Sequence, residues 1–173
     1  MECIPSRIPE PKTQKVLDAY LINFEEETDA TYFGIRKVIK AFVSGIGMAK
    51  APKLIIDIGC GPGYTTQALA DAFRNARVVG VDVAERAIEM AREKWKWRTS
   101  PEFIVGDASK VLLEYERSAD LVTFFSSFHE FDDGQRALNN TERALTDDGA
   151  VFISDVDRSL FLKMPFFLES NSS

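Results

Sequence analysis

From residue 52 onward, short apolar runs alternate with stretches whose apolar positions fall three and four residues apart. The runs predict strands buried on both faces, and the spaced positions predict amphipathic helices. Strands are predicted at residues 53–58, 77–81, 103–105, 121–125 and 150–154. Helices are predicted at residues 64–73, 85–94, 110–115 and 133–145. Because strands that alternate with helices build a parallel sheet through right-handed crossovers, we predict an α/β, doubly wound sheet covered on both faces.

The first fifty residues follow a different pattern. Residues 1–12 contain three prolines and predict an extended arm. Apolar positions then recur at helical spacing, and Gly45 and Gly47 are predicted to end the second helix. We therefore predict an N-terminal arm and helical cap at residues 1–50 and a sheet domain at residues 51–173, within one structural domain overall. The last apolar stretch, residues 160–168, fits either a helix or an extended segment.

Composition and charge exclude several classes of protein. Of the 173 residues, 45% are hydrophobic and 28% charged, as in a soluble domain with a packed core, which excludes disorder and collagen-like repeats. The formal net charge of −6 disfavours a nucleic-acid partner, because an acidic surface repels phosphates. Cys3 and Cys60 offer neither a disulfide framework nor zinc spacing. With no signal-peptide pattern and no apolar run of the roughly 18–20 residues that span a bilayer, we expect a cytoplasmic protein without a membrane segment.

A glycine-rich loop follows the first predicted strand. It reads Asp57-Ile58-Gly59-Cys60-Gly61-Pro62-Gly63 and lies beyond a strand end, where open α/β sheets bind ligands. Glycines allow a sharp turn and let a ligand approach the backbone, although tight turns alone also use them. A dinucleotide fingerprint would have its third glycine at Tyr64, one residue later than here, and the absence of Gly-Lys-Ser/Thr excludes a triphosphate P-loop.

Three predicted strands end in an aspartate at the same edge of the sheet. Asp57, Asp82 and Asp107 close the first, second and third strands. Asp57 would repel a pyrophosphate but suits a ligand with positive charge. Asp82 lies near the interval at which an acid binds ribose hydroxyls. The alternative is that these aspartates are helix N-caps, a position that Asp favours.

These segments resemble the successive motifs of a known family. The glycine loop, Gly80-Val81-Asp82, Gly106-Asp107-Ala108 and Leu145-Thr146-Asp147-Asp148-Gly149-Ala150 look like those of class I, Rossmann-like S-adenosylmethionine-dependent methyltransferases, over residues 54–155. The resemblance implies a Rossmann-like sheet with strand order 3-2-1-4-5 and S-adenosylmethionine as the cofactor. It also implies an enzyme that transfers a methyl group to an acceptor by in-line displacement.

The resemblance assigns cofactor-binding roles to residues at the strand ends. The predicted set is Asp57, Gly59, Cys60, Gly61, Gly63, Asp82, Val83, Asp107, Ala108, Phe125 and Ser126. The glycines would cradle the methionine part, Asp57 would face its ammonium group through water, and Asp82 would bind both ribose hydroxyls. Asp107 would take the adenine amino group, with the Ala108 N–H at the ring. Backbone carbonyls near Phe125 and Ser126 would receive the ammonium group.

The residues after the fourth strand are expected to face the methyl acceptor. They lack the Asn/Asp-Pro-Pro-Tyr signature of enzymes that methylate nucleic acids and glutamine, so we predict a small-molecule acceptor. The alternatives are an RNA or protein methyltransferase, or a cofactor-binding but catalytically silent subunit. His129, the single histidine, is the candidate general base, unless it packs over the cofactor or caps the next helix. Tyr20 and Phe24 are candidate substrate contacts or core residues, and no metal site is predicted.

The far edge of the sheet is predicted to be incomplete. The family sheet usually has seven strands, and residues 156–173 are too few for a further helix and two strands. We therefore expect strands six and seven to be missing or replaced. Because an uncovered strand edge favours association, we expect residues 160–168, a second copy or another chain to cover the fifth strand.

Overall fold

The computed structural model describes residues 34–39, 41, 45, 50–97, 101–131 and 133–155. Its strands are β1 (Leu54–Ile58), β2 (Arg77–Asp82), β3 (Glu102–Val105), β4 (Ala119–Phe125) and β5 (Leu145–Ser154). Its helices are α1 (Tyr64–Ala72), α2 (Glu85–Lys94), α3 (Ala108–Val111) and α4 (Gly134–Ala144). Two 3-10 turns cover Leu112–Tyr115 and Phe128–Glu130, and residues 34–39 are helical.

The five strands form one parallel sheet in the order β3-β2-β1-β4-β5. This confirms the predicted α/β, Rossmann-like fold and its strand order. The chain runs outward from β1 to β3 and then returns to the other side of β1 with β4. The carboxyl ends of β1 and β4 therefore flank the switch point, where open α/β sheets have their ligand crevice.

Both faces of the central strands β1, β2 and β4 are largely buried, which explains why these strands are mostly apolar. Successive residues of β1 enter different clusters: Ile55 packs with Leu69 of α1, whereas Ile56 packs with Leu112 and the helices on the opposite face. Ile39, from the helical segment 34–39, joins the first of these clusters. The predicted division of the chain at residues 50 and 51 stays a prediction.

The start of β5 differs from the prediction. The strand begins at Leu145, whereas it was predicted from residue 150, and α4 ends one residue earlier than predicted. Leu145 pairs with Ala119 and Ala150 pairs with Leu121, so the residues between form an irregularity in the ladder. Gly149 fits this close approach, because a Cβ there would lie 2.9 Å from the Ala119 carbonyl oxygen. Because the residues of this irregularity are polar, the hydrophobic pattern did not show where the strand begins.

Two further predictions concern the short helix before β4 and the edge of the sheet at β5. The helix predicted at residues 110–115 is instead the short α3, followed by a 3-10 turn. Within the described residues, β5 is the last strand of the sheet, and Val151 and Ile153 are exposed on it. The predicted arm, Tyr20, Phe24 and residues 160–168 lie outside the described residues. Coverage of β5 by another segment or chain stays a prediction.

Candidate functional site

The glycine loop turns sharply between β1 and α1. Gly59, Gly61 and Gly63 have φ angles of 69°, 51° and 82°, in the left-handed region that glycine tolerates best. The Gly59 and Cys60 amides both donate to the Val81 carbonyl, at 2.8 and 3.1 Å, which fixes the loop against the end of β2. Gly63 is the N-cap of α1. The loop therefore presents backbone, and few side chains, at the strand ends.

The three glycines differ in what surrounds them. A Cβ at Gly59 would collide with the Ser127 side chain, and one at Gly63 would lie 2.6 Å from the Phe103 ring, so both are needed for packing. Among the residues that the structure describes, none lies within 4 Å of where a Gly61 Cβ would be. Gly61 is thus the loop position whose backbone borders open space, as a ligand-binding loop requires.

Asp57 lies beneath the loop. Its side chain is buried, and its two carboxylate oxygens accept hydrogen bonds from the hydroxyls of Thr66 in α1, at 2.7 Å, and Thr123 in β4, at 2.8 Å. Burial raises the pKa of Asp57 from 3.8 to about 7, because desolvation outweighs the opposing effect of the two hydroxyl bonds, and Asp82 raises it further. The contact between Asp57 and a cofactor ammonium group stays a prediction; the structure shows it joining α1 to β4.

Asp82 connects the loop to the end of β2. Its Oδ2 accepts a hydrogen bond from the Gly61 amide at 2.8 Å, and its Oδ1 accepts one from the Ala84 amide at 2.8 Å. An ionised carboxylate accepts about four hydrogen bonds, so Asp82 can also bind a pair of hydroxyls. Val83, the next residue, is 77% exposed and offers an apolar surface beside the acid. A contact of Asp82 or Val83 with a cofactor stays a prediction.

Asp107 is exposed and caps a helix. Its Oδ1 accepts a hydrogen bond from the Ser109 amide at 2.8 Å, as the N-cap of α3. Hydrogen bonding by Ser109 lowers the pKa of Asp107 below its usual value. The alternative prediction, that the strand-end aspartates are helix N-caps, therefore holds for Asp107. Ala108 is buried behind it, and a contact of either residue with adenine stays a prediction.

The end of β4 packs against the glycine loop. Ser126 has a φ of 49°, and its amide donates to the Ser154 carbonyl at 2.7 Å, while the Phe125 ring packs against Phe152. Ser127, which the sequence did not single out, donates its hydroxyl to the Ile58 carbonyl at 2.7 Å. The feature of the sequence that could have identified Ser127 is a small residue directly after a strand, at the position that faces a glycine.

Cys60 belongs to the loop only through its backbone. Its side chain is buried with Ile88, Ala91 and Phe103. Burial raises the pKa of the Cys60 thiol well above its usual value, so the side chain is an inert core group. Any contact of Cys60 with a cofactor must be made by main-chain atoms.

His129 lies in the 3-10 turn that follows β4. Its Nδ1 is 2.7 Å from Oδ1 of Asp155, its backbone amide donates to Oδ2 of Asp155 at 2.8 Å, and its Nε2 is 2.9 Å from Oε1 of Glu130. His129 does not cap the next helix, because Asp133 accepts the capping bond from Arg136. The sequence did not single out Asp155 as a partner of this histidine.

The described residues contain neither a candidate metal site nor a candidate membrane span. No group of three or more His, Cys, Asp or Glu side chains is arranged to hold a metal ion there. Nor is any helix in that part of the chain long and apolar enough to cross a membrane.

Fold and site together define a class. A parallel sheet of order 3-2-1-4-5, with a glycine loop after β1 and an acid at the end of β2, is the arrangement of the class I, Rossmann-like methyltransferases. A family model described as a methyltransferase domain matches residues 55–149. The chain belongs to this methyltransferase domain family.

Individual proteins are similar over larger parts of the chain. The malonyl-[acyl-carrier protein] O-methyltransferase of Acetivibrio thermocellus is 27% identical over 158 residues, covering 91% of this chain and 55% of that protein. The demethylmenaquinone methyltransferase of Thermotoga maritima is 30% identical over 105 residues, covering 61% of this chain and 44% of that protein. The solved plantazolicin methyltransferase BpumL, in complex with SAH, has a TM-score of 0.70 at 24% identity, covering 94% of this chain and 59% of that one. The chain thus spans about half the length of these curated relatives.

Proposed function

We propose that this chain binds S-adenosylmethionine at the ends of β1 and β2 and transfers its methyl group to a small-molecule acceptor. The observation that carries the proposal is the pairing of Gly61 with Asp82. The Gly61 amide donates to Asp82 Oδ2 at 2.8 Å, while no described residue lies within 4 Å of where a Gly61 Cβ would be. A ligand in this space meets bare backbone and a carboxylate that can accept further hydrogen bonds.

The described residues match the chemical groups of this cofactor. Asp82 would accept bonds from the ribose hydroxyls, and the exposed Val83 would pack against the adenine ring. Asp107, one oxygen of which accepts the Ser109 amide, would use its other oxygen for the adenine amino group. Carbonyls at Phe125 and Ser126 would receive the ammonium group. The excess of acids at this edge suits a ligand with a sulfonium and an ammonium charge.

The protein's part in the reaction is to position the two reactants. When bound, the cofactor supplies an electrophilic methyl group: the acceptor's lone pair forms a bond to the methyl carbon while the carbon–sulfur bond breaks, with its electrons left on sulfur. For such a transfer, the protein has to align the two reactants and exclude water. Ser127 binds the Ile58 carbonyl at the start of the glycine loop, and Asp57 joins α1 to β4 beneath it.

Three observations support a small acceptor. The relatives include proteins named for demethylmenaquinone, for trans-aconitate and for the malonyl group of an acyl-carrier protein. The net charge of −6 disfavours a polyphosphate chain as substrate. The residues after β4 form a short turn closed by His129 and Asp155, and this turn lies next to the loop.

Ligand-induced stabilisation tests this proposal directly. S-adenosylmethionine and its demethylated product are each added to the chain during thermal unfolding, with NAD as the comparison ligand. At 100 times the dissociation constant, a bound ligand stabilises the folded state by about 2.7 kcal/mol, which raises the midpoint by several degrees. Stabilisation by both cofactor forms and not by NAD supports the proposal; no effect of either form contradicts it. Product formation with a panel of metabolites then separates an enzyme from a silent binder.

A further inference from the structure

Trp95, which directly follows α2, packs against the glycine loop. Its indole Nε1 donates a hydrogen bond to the Pro62 carbonyl at 3.0 Å. A Cβ at Gly63 would lie 3.1 Å from Cδ1 of the same ring, so the indole fits closely against the bare backbone of that glycine. The ring also contacts that of Tyr64, the first residue of α1, edge to face with the centroids 5.8 Å apart. Trp95 therefore contacts the loop where it leads into α1.

The bond to Pro62 fixes a part of the loop that its own sequence leaves free. Glycines have wide conformational freedom, so a loop with three of them takes its conformation from the hydrogen bonds that its backbone makes. The loop amides before Pro62 bond to the end of β2. Pro62 has no N–H and a fixed φ, so its ψ is the angle left to fix and its carbonyl is the backbone group that can be held. Trp95 holds that carbonyl from α2.

The end of α2 is attached to the sheet, as a support for the loop has to be. Arg92, in the last turn of α2, donates to the Phe103 carbonyl of β3 at 2.8 Å. The Trp95 ring packs on the buried residues of one core cluster, which are Cys60, Ile88, Ala91 and Phe103. The indole therefore reaches the loop from a base formed by α2 and β3.

Resting on the cofactor binding proposed above, we propose that Trp95 is a positioning residue of the cofactor site. Its indole N–H holds Pro62, and with it the neighbouring Gly61, in the conformation in which the Gly61 amide bonds to Asp82. The loop is then arranged for the ligand before the ligand arrives. A loop without this bond has to be ordered during binding, and that ordering lowers the affinity.

The indole N–H of Trp95 can be observed directly, because the chain has two tryptophans and the other, Trp97, is 80% exposed. The full chain is labelled with ¹⁵N, and Trp97→Phe assigns the two indole signals in ¹H–¹⁵N spectra. Without any cofactor, the indole proton of Trp95 should exchange with water at least about ten times more slowly than that of Trp97. Equal exchange of the two protons would mean that the bond to Pro62 is not formed, which overturns the proposal.

The effect of the bond on the loop is also measurable without cofactor. Trp95→Phe keeps an aromatic ring but has no N–H to donate, and Trp97→Phe is the matched control. The Gly61 amide should exchange faster in Trp95→Phe than in Trp97→Phe, because the loop has lost one of its attachments. Equal exchange of this amide in the two variants contradicts the proposed action of Trp95 on the loop.

Cofactor affinity separates a positioning role from a purely stabilising one. In calorimetric titration at a temperature where both proteins are fully folded, S-adenosylmethionine should bind Trp95→Phe roughly 3–10 times more weakly than the wild type. Trp97→Phe should bind as the wild type does. A residue that only stabilises the fold would lower the unfolding midpoint and leave the affinity of the folded protein unchanged. Equal affinity in Trp95→Phe and the wild type contradicts the positioning role.

A ring of the same shape separates the hydrogen bond from the packing. In the Trp97→Phe chain, the remaining tryptophan is replaced by benzothienylalanine, which has sulfur in place of the indole N–H. This protein should also bind the cofactor several times more weakly than Trp97→Phe itself, and it serves as the test if Trp95→Phe does not fold. Unchanged affinity would mean that packing alone is sufficient, which contradicts the proposal.

The result with the wild type distinguishes this proposal from the proposed function. No binding of S-adenosylmethionine by folded wild-type protein contradicts the proposed function, while the two exchange measurements still test the contact and its effect on the loop. Binding by the wild type that neither change at Trp95 weakens contradicts the positioning role alone.

Discussion

Replacing Asp57 with asparagine is expected to change how stability depends on pH. In the folded chain the pKa of Asp57 is about 7, against 3.8 for an exposed aspartate, because burial disfavours the charged form. Below about pH 4 the carboxyl is protonated in both states, and the folded state has no charge to bury. As the pH rises from 4 to 7, the unfolded chain loses this proton first, so stability falls.

The magnitude follows from the difference between the two pKa values. Linkage predicts that the wild type loses roughly 2–3 kcal/mol of unfolding free energy between pH 5 and pH 8 through this residue alone. Asparagine has no such titration, and its amide can still hydrogen-bond with the hydroxyls of Thr66 and Thr123. The advantage of Asp57→Asn over the wild type should therefore grow by that amount across this range.

Urea unfolding at pH 5, 6, 7 and 8 measures the effect. Other titrating groups contribute equally to both proteins, so the difference between them isolates Asp57. Asp148→Asn, at an exposed position, is the matched control and should follow the wild type. Parallel stability curves for Asp57→Asn and the wild type would refute the reasoning, since they would mean that the buried carboxyl has an ordinary pKa.

Four further substitutions test the loop and its supports. Gly61→Ala should lower the free energy of unfolding in urea by about 1–2 kcal/mol, because the backbone is left-handed there and no described neighbour is close to the added Cβ. Gly59→Ala should lower it further, because its Cβ also collides with Ser127. Equal losses in the two variants would contradict this. Ser127→Ala should cost about 1–3 kcal/mol, since it leaves a buried carbonyl without its donor, and an unchanged urea midpoint would argue against that bond. Thr123→Val removes a bond that lowers the pKa of Asp57, so its stability should begin to level off at a higher pH than in the wild type.

The order of elements could be predicted because it depends on local patterns. Apolar runs such as residues 54–58 are strands buried on both faces, and the spaced apolar positions of α2 bury one side of a helix. The start of β5 could not be predicted in this way. Its first residues are polar and leave the ladder between Leu145 and Ala150, so the pattern there is that of a turn.

The position of the candidate site residues in the fold could be predicted, but their contacts could not. Glycine spacing and strand-end acids located the loop and Asp82 correctly at one edge of the sheet. The partners of Asp57 come from α1 and from β4, and the partner of His129 comes from the end of β5. Such contacts join residues far apart in the chain, and a single sequence contains no record of which distant side chains meet.

Calorimetric titration with S-adenosylmethionine tests the central claim, that the edge formed by Gly61 and Asp82 is the cofactor site. The account predicts that the wild type binds and that Asp82→Ala binds roughly 10–100 times more weakly, since hydrogen bonds to a charged group contribute about 1.5–3 kcal/mol. Asp148→Ala should bind as the wild type does. No binding by folded wild-type protein, or equal affinity in Asp82→Ala, would contradict the account.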